Sequence, residues 1–66
     1  MEDWQIRVVE ERAELRIKIR KLVAFIYVEP VPTLDEYEWT LLRDQLAAML
    51  EYDSALSVRI LRFPTD

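Results

Sequence analysis

The chain of 66 residues contains no cysteine, histidine or glycine, which excludes disulfides, thiolate or imidazole zinc sites, Cys or His nucleophile chemistry, and glycine-rich phosphate loops. A net charge of −4 and a pI near 4.7 argue against general affinity for DNA or RNA, because binding a phosphate backbone needs a basic surface. A chain this short buries only about 60% of the surface its unfolded form exposes, and its apolar content of 52% exceeds what two helices can hide against each other, so oligomerisation is the staple that remains.

In chain order, the first helix is expected from about residue 3 to 28. No Gly or Pro interrupts it, acids (Glu2, Asp3) precede bases (Arg16, Lys18, Arg20, Lys21) as the helix dipole favours, and Glu14 and Lys18 add an i,i+4 pair. Met1, Gln5, Val8, Arg12, Leu15, Ile19, Leu22 and Ile26 form a heptad seam whose one charged member is Arg12. The longest uncharged apolar run, Leu22 to Val28, has seven residues, against the roughly 20 that cross a bilayer. The opening Met1-Glu2-Asp3 lacks the basic lead of a signal peptide, so a soluble protein of the cytoplasm is expected, with no membrane partner.

Residues 29–33 form the expected loop, stiffened by Pro30 and Pro32, and Pro30 disfavours helical geometry at Glu29. Thr33-Leu34-Asp35-Glu36 has the capping-box pattern and opens a second helix expected from about 34 to 63, ended by Pro64. Its seam is Trp39, Leu42, Leu46, Met49, Asp53, Leu56, Ile60 and Phe63, at alternating spacings of 3 and 4, and its one charged member is Asp53. Asp53 and Ser54 are weak helix formers, yet the seam keeps phase across them, so one unbroken helix is read.

Two seams, one with an acid and one with a base, predict an all-α fold: a single-domain antiparallel helical hairpin of two long helices, assembling into an oligomeric helix bundle. Three neighbouring registers set Asp53 opposite Val8, Arg12 or Leu15, offsets of at most about 6 Å along the axis, so an Arg12–Asp53 structural ion pair is expected in each of them. Its primary reading is to fix register at some cost in stability, ahead of a binding role. Whether it forms within or between subunits stays open. Trp4, Ile6, Val9, Ile17, Val23 and Phe25 on the first helix, and Leu41, Leu50, Val58 and Leu61 on the second, widen the apolar stripe beyond one partner.

Catalysis finds neither nucleophile nor base. The carboxylates Glu10, Glu11, Glu14, Glu36 and Glu38 have the spacing of a solvated helix face, and no spacing asks for a metal. No catalytic residue, metal or cofactor is expected, and an enzyme is not. Arg16, Lys18, Arg20 and Lys21 make an acid-free basic cluster near the loop end, and the middle register sets Arg20 and Lys21 beside Gln45 and Asp44, with Tyr52 nearby. Arg59 and Arg62 form a smaller patch. These groups read either as solvated bases balancing nearby acids or as a site for a phosphate-bearing ligand, held by charge-assisted bonds and stacking. The candidate ligand residues are Arg16, Arg20, Lys21, Gln45, Tyr52 and Arg59.

The chain resembles a group of very small helical proteins encoded by bacteriophages and prophages. The residues that carry the resemblance are Trp4-Gln5-x-Arg7-Val8-Val9-Glu10-Glu11-x-x-Glu14-Leu15, Lys18-Ile19-x-Lys21-Leu22-x-Ala24-Phe25-Ile26, Leu41-Leu42-x-x-Gln45-Leu46-Ala47-Ala48-Met49-x-x-Tyr52 and Leu56-x-x-Arg59-Ile60. The resemblance implies an early phage product acting in the host cytoplasm against host defence. Among such products, the anti-CBASS and anti-Thoeris sponge proteins are similar in size and in being helical-hairpin oligomers, and they sequester cyclic nucleotide signals in pockets between subunits. Their tyrosine-to-lysine pattern is not recognisable here, so no binding residue carries over. The functional expectation is a non-enzymatic homo-oligomer that sequesters a small anionic immune signal such as a cyclic nucleotide. The alternative is an inhibitor that docks its apolar face on a host protein.

Overall fold

The computed structural model of the protein describes residues 1–28 and 33–64. Helix α1 spans Asp3–Val23, a π-helical segment continues it over Ala24–Val28, and helix α2 spans Glu36–Leu61. The expected Pro30–Pro32 connector lies outside the described residues. The two helices pack along each other as an antiparallel hairpin, a rod with extents of 52 × 15 × 15 Å.

Each helix end has a local cause. At the start of α1 the Glu2 amide donates to Gln5 Oε1 over 2.7 Å, which satisfies one of the orphan donors of the first turn and explains how a glutamine is tolerated in the seam at 7% exposure. At the start of α2 the cap is Asp35, whose carboxylate accepts from the Glu38 amide at 2.8 Å. This falls two residues beyond the Thr33 start suggested by the capping-box pattern. Aspartate is as good a cap as threonine or better, and here it is the residue with extended backbone immediately before the helical turn.

The expected α-helix to residue 28 instead loosens into a π turn at Ala24. The run Phe25-Ile26-Tyr27-Val28 consists of aromatic and β-branched residues, which gain least from a tight α turn. In the wider turn Ile26 is buried and the Phe25 ring lies 5.9 Å from that of Trp39. At the opposite end Trp4 meets Phe63 edge to face at 5.2 Å, so the rod is clasped by an aromatic pair near each end. Helix α2 runs unbroken through Asp53 and Ser54, and its last turn tightens: the Arg62 amide reaches the Arg59 carbonyl and the Phe63 amide the Ile60 carbonyl.

Arg12 Nε donates to Asp53 Oδ1 at 3.3 Å, within the one chain, and this contact together with Trp4 against Phe63 at one end and Phe25 against Trp39 at the other fits the middle of the three registers. Val8, Leu15 and Leu56 form the core beside this pair, with Ile19, Met49, Ile60 and Phe63 against it. Leu56 is the best sealed of these, at 1% exposure. Among the described residues five apolar side chains are buried, whereas Trp4, Ile6, Val9, Ile17, Leu41, Leu50, Val58 and Leu61 are all substantially exposed. A single hairpin therefore leaves much of its apolar surface in water.

Candidate functional site

The seam turns every fourth or third residue inward, and the residues next to it must fall on one flank or the other. Val9 and Arg16 directly follow the seam residues Val8 and Leu15, and Leu50 directly follows Met49. In an antiparallel pair these positions of both helices open on the same side. There the structure has a shallow groove of about 700 Å³. Val9, Ala13, Ile17, Ile19, Leu50 and Ile60 supply its apolar lining, and Arg12, Arg16, Arg20 and Asp53 its charge.

Arg12, Arg16 and Arg20 stand at i, i+4 and i+8 on α1, one above the next at about 6 Å per step. The turn before Arg12 offers Val8 and Val9, and the turn after Arg20 offers Val23 and Ala24, so no acid of α1 lies on this ladder. Asp53, from α2, is the single carboxylate in the groove. Three cations against one anion make this a positive strip on a chain whose net charge is −4, with Arg16 and Arg20 exposed to solvent.

The Arg12–Asp53 pair is half-open rather than sealed, with side-chain exposures of 28% and 20%. Its one contact uses Nε and Oδ1. Among the described residues the two Nη groups of Arg12 and the Oδ2 of Asp53 have no hydrogen-bond partner, and none of the side-chain polar atoms there is both buried and unsatisfied. A guanidinium carries five N–H donors and a carboxylate two acceptor oxygens, so the pair keeps donors and an acceptor unused, and both residues line the groove.

The six residues expected to bind a ligand do not share one surface. Arg16 and Arg20 line the groove. Lys21, Gln45, Tyr52 and Arg59 directly precede the seam residues Leu22, Leu46, Asp53 and Ile60, which puts them on the opposite flank. Arg20 and Gln45 do stand at the same height along the rod, as the middle register requires, but on different sides of it. Gln45 Nε2 is directed along its own helix to Met49 Sδ at 4.0 Å. The sequence reading missed the aliphatic walls and the place of Arg12 and Asp53 on the groove. The signal was present as the acid-free arginine ladder at steps of four, visible once Arg12 is counted with Arg16 and Arg20 rather than only with the seam.

Among the described residues no cluster of acids is arranged to hold a metal ion, and no helix is long and apolar enough to cross a membrane.

Hairpin and groove together define a small all-α protein with an arginine-lined cleft on one flank. Residues 2–62 match the Sequestin family, and the chain belongs to it. The family's name is that of a sequestering protein. No curated protein and no solved structure matches the chain.

Proposed function

We propose that the protein sequesters a small anionic signal, such as a cyclic nucleotide, in the groove between α1 and α2, and releases it unchanged. The observation that carries this reading is the Arg12–Arg16–Arg20 ladder lining one groove with the apolar Ile17 and Leu50. A nucleotide has a phosphate for the ladder, through charge-assisted bonds, and a base with apolar faces for the wall. The resemblance to phage-encoded sponges supports a role in the host cytoplasm, in which the protein lowers the free concentration of a defence signal. Membership of a family named for sequestration agrees with it.

The working unit in this proposal is a homo-oligomer. A shallow groove half open to water holds a small ligand weakly until something covers it, and the exposed Ile6, Val9, Leu50 and Leu61 favour cover by a second copy. Lys21, Gln45, Tyr52 and Arg59 then take part as the flank that a neighbouring copy lays over the groove. The same exposed residues favour a second reading, in which the apolar flank docks on a host protein and blocks it.

Thermal melts with cyclic dinucleotides and trinucleotides separate the two. A ligand at 100 times its Kd adds about 2.7 kcal/mol, which for a chain of this size raises Tm by on the order of 10 °C. Mass spectrometry of the heat-released ligand should return it intact. If no nucleotide moves Tm and the protein runs as a plain monomer, the host-protein reading takes precedence. Recovery of a cleaved nucleotide would overturn the non-enzymatic part.

A further inference from the structure

We propose that Arg12 and Asp53 are ligand-contacting residues, and that together they select ligands in which a phosphate-type anion lies beside a hydroxyl or amino donor. The proposal rests on the groove being the binding site and adds what that site distinguishes. A pair serving register alone needs only to satisfy itself inside the seam. This one meets through a single 3.3 Å contact between Nε and Oδ1, stays 28% and 20% exposed, and both of its residues line the groove.

The free groups have opposite requirements. The Nη atoms of Arg12 donate only, in a fork that suits two oxygens of a phosphate, and Arg16 continues the same row one turn on. The free Oδ2 of Asp53 accepts only, and its charge repels any second anion brought against it. A bare anion that reaches Arg12 therefore meets Asp53 as well. A sugar phosphate or nucleotide avoids that conflict by turning a ribose hydroxyl or an exocyclic amine toward Asp53 while its phosphate sits on the arginines. Ala13 lies between Arg12 and Arg16 on the groove flank, where its single methyl keeps the approach open. Selectivity then comes from a penalty on the wrong ligand as much as from a contact with the right one.

Replacing Asp53 with asparagine tests this. The Asp53→Asn side chain keeps an oxygen for Arg12 Nε, removes the charge, and can turn an N–H donor into the groove. Calorimetric titration of the wild type and the variant uses inorganic pyrophosphate and cyclic di-AMP as probes, with circular dichroism to check the hairpin. The expected result is a crossover: pyrophosphate binds the variant more tightly and cyclic di-AMP less tightly, so that the ratio of the two affinities shifts about tenfold or more. Loss of the hairpin or of stability changes both affinities in the same direction, so a parallel change, or none, overturns the proposal while leaving the groove as the site. Wild-type binding of pyrophosphate but not of cyclic di-AMP overturns the proposal alone. Failure of both probes on the wild type overturns it together with the sequestration reading.

Discussion

The two flanks of the hairpin flank the same seam and are built from the same two helices, yet they differ in chemistry. On the flank opposite the groove, the bases of α1 alternate with acids at helical spacing: Glu14 stands one turn before Lys18, and Glu11 a further turn out. On the groove flank the bases Arg12, Arg16 and Arg20 follow one another with no acid of their own helix between them, set among Val9, Ala13 and Ile17. Charge on the first flank is balanced locally and stays in water. Charge on the second is also exposed at Arg16 and Arg20 but has no acid of its own helix beside it, which makes it available to a ligand. What matters is thus the company each base keeps rather than the number of bases.

The largest expected contrast in stability is between core and flank. Leu56→Ala removes the best-sealed side chain and should cost about 2–5 kcal/mol, whereas Leu50→Ala on the groove flank should cost within about 0.5 kcal/mol if the hairpin acts alone. Denaturant unfolding reads both. A cost at Leu50 that rivals Leu56, and that varies with protein concentration, would mean that a second copy covers the groove.

The next contrast is between the bases of the two flanks. Arg16→Glu with Arg20→Glu should weaken nucleotide binding about 100-fold, a change of about 2.7 kcal/mol, while Lys18→Glu with Lys21→Glu should weaken it less, because that flank reaches the ligand only from a neighbouring copy. Equal losses in calorimetry would give that flank as large a share of the site, which sharpens the case for an intersubunit pocket.

The smallest expected effect belongs to the ion pair between the flanks. Breaking a fully buried pair costs about 3–5 kcal/mol, but exposures of 28% and 20% let water reach both partners, so Arg12→Leu should cost about 1–2 kcal/mol. Adding Asp53→Leu to it should return most of that, because no lone carboxylate is left in the seam. A melt in which Arg12→Leu is harmless, or in which the double variant is the worse of the two, would remove the pair from the account of stability.

The fold was largely legible in the sequence. The 3,4 spacing from Trp39 to Phe63 and its counterpart from Met1 to Ile26 specify two helices and the stripes that meet, because a side chain's direction on a helix depends only on its position in the repeat. The pairing of Arg12 with Asp53 followed from the same logic, as the one base and one acid on those stripes. The candidate site was legible only in part. Arg16 and Arg20 were found as bases, but grouping them with Lys21, Gln45, Tyr52 and Arg59 relied on height along the rod and ignored which side each residue occupies.

Sequence alone therefore determined the hairpin, its seam and its ion pair, since these follow from periodicity and from the need of a charge in an apolar stripe to find its opposite. Only the tertiary structure decided the register, because apolar seams slide past one another by a turn at little difference in energy and Arg12 reaches Asp53 in each case, whereas the aromatic pairs Trp4–Phe63 and Phe25–Trp39 place both ends. It also decided where each helix yields at its end, at the Asp35 cap and the π turn from Ala24, since those depend on what the neighbouring helix offers to bury. The groove belongs to the same class. It exists because Val9 and Arg16 from one helix and Leu50 from the other come to the same side of an antiparallel pair, a relation between two elements that neither one's sequence contains.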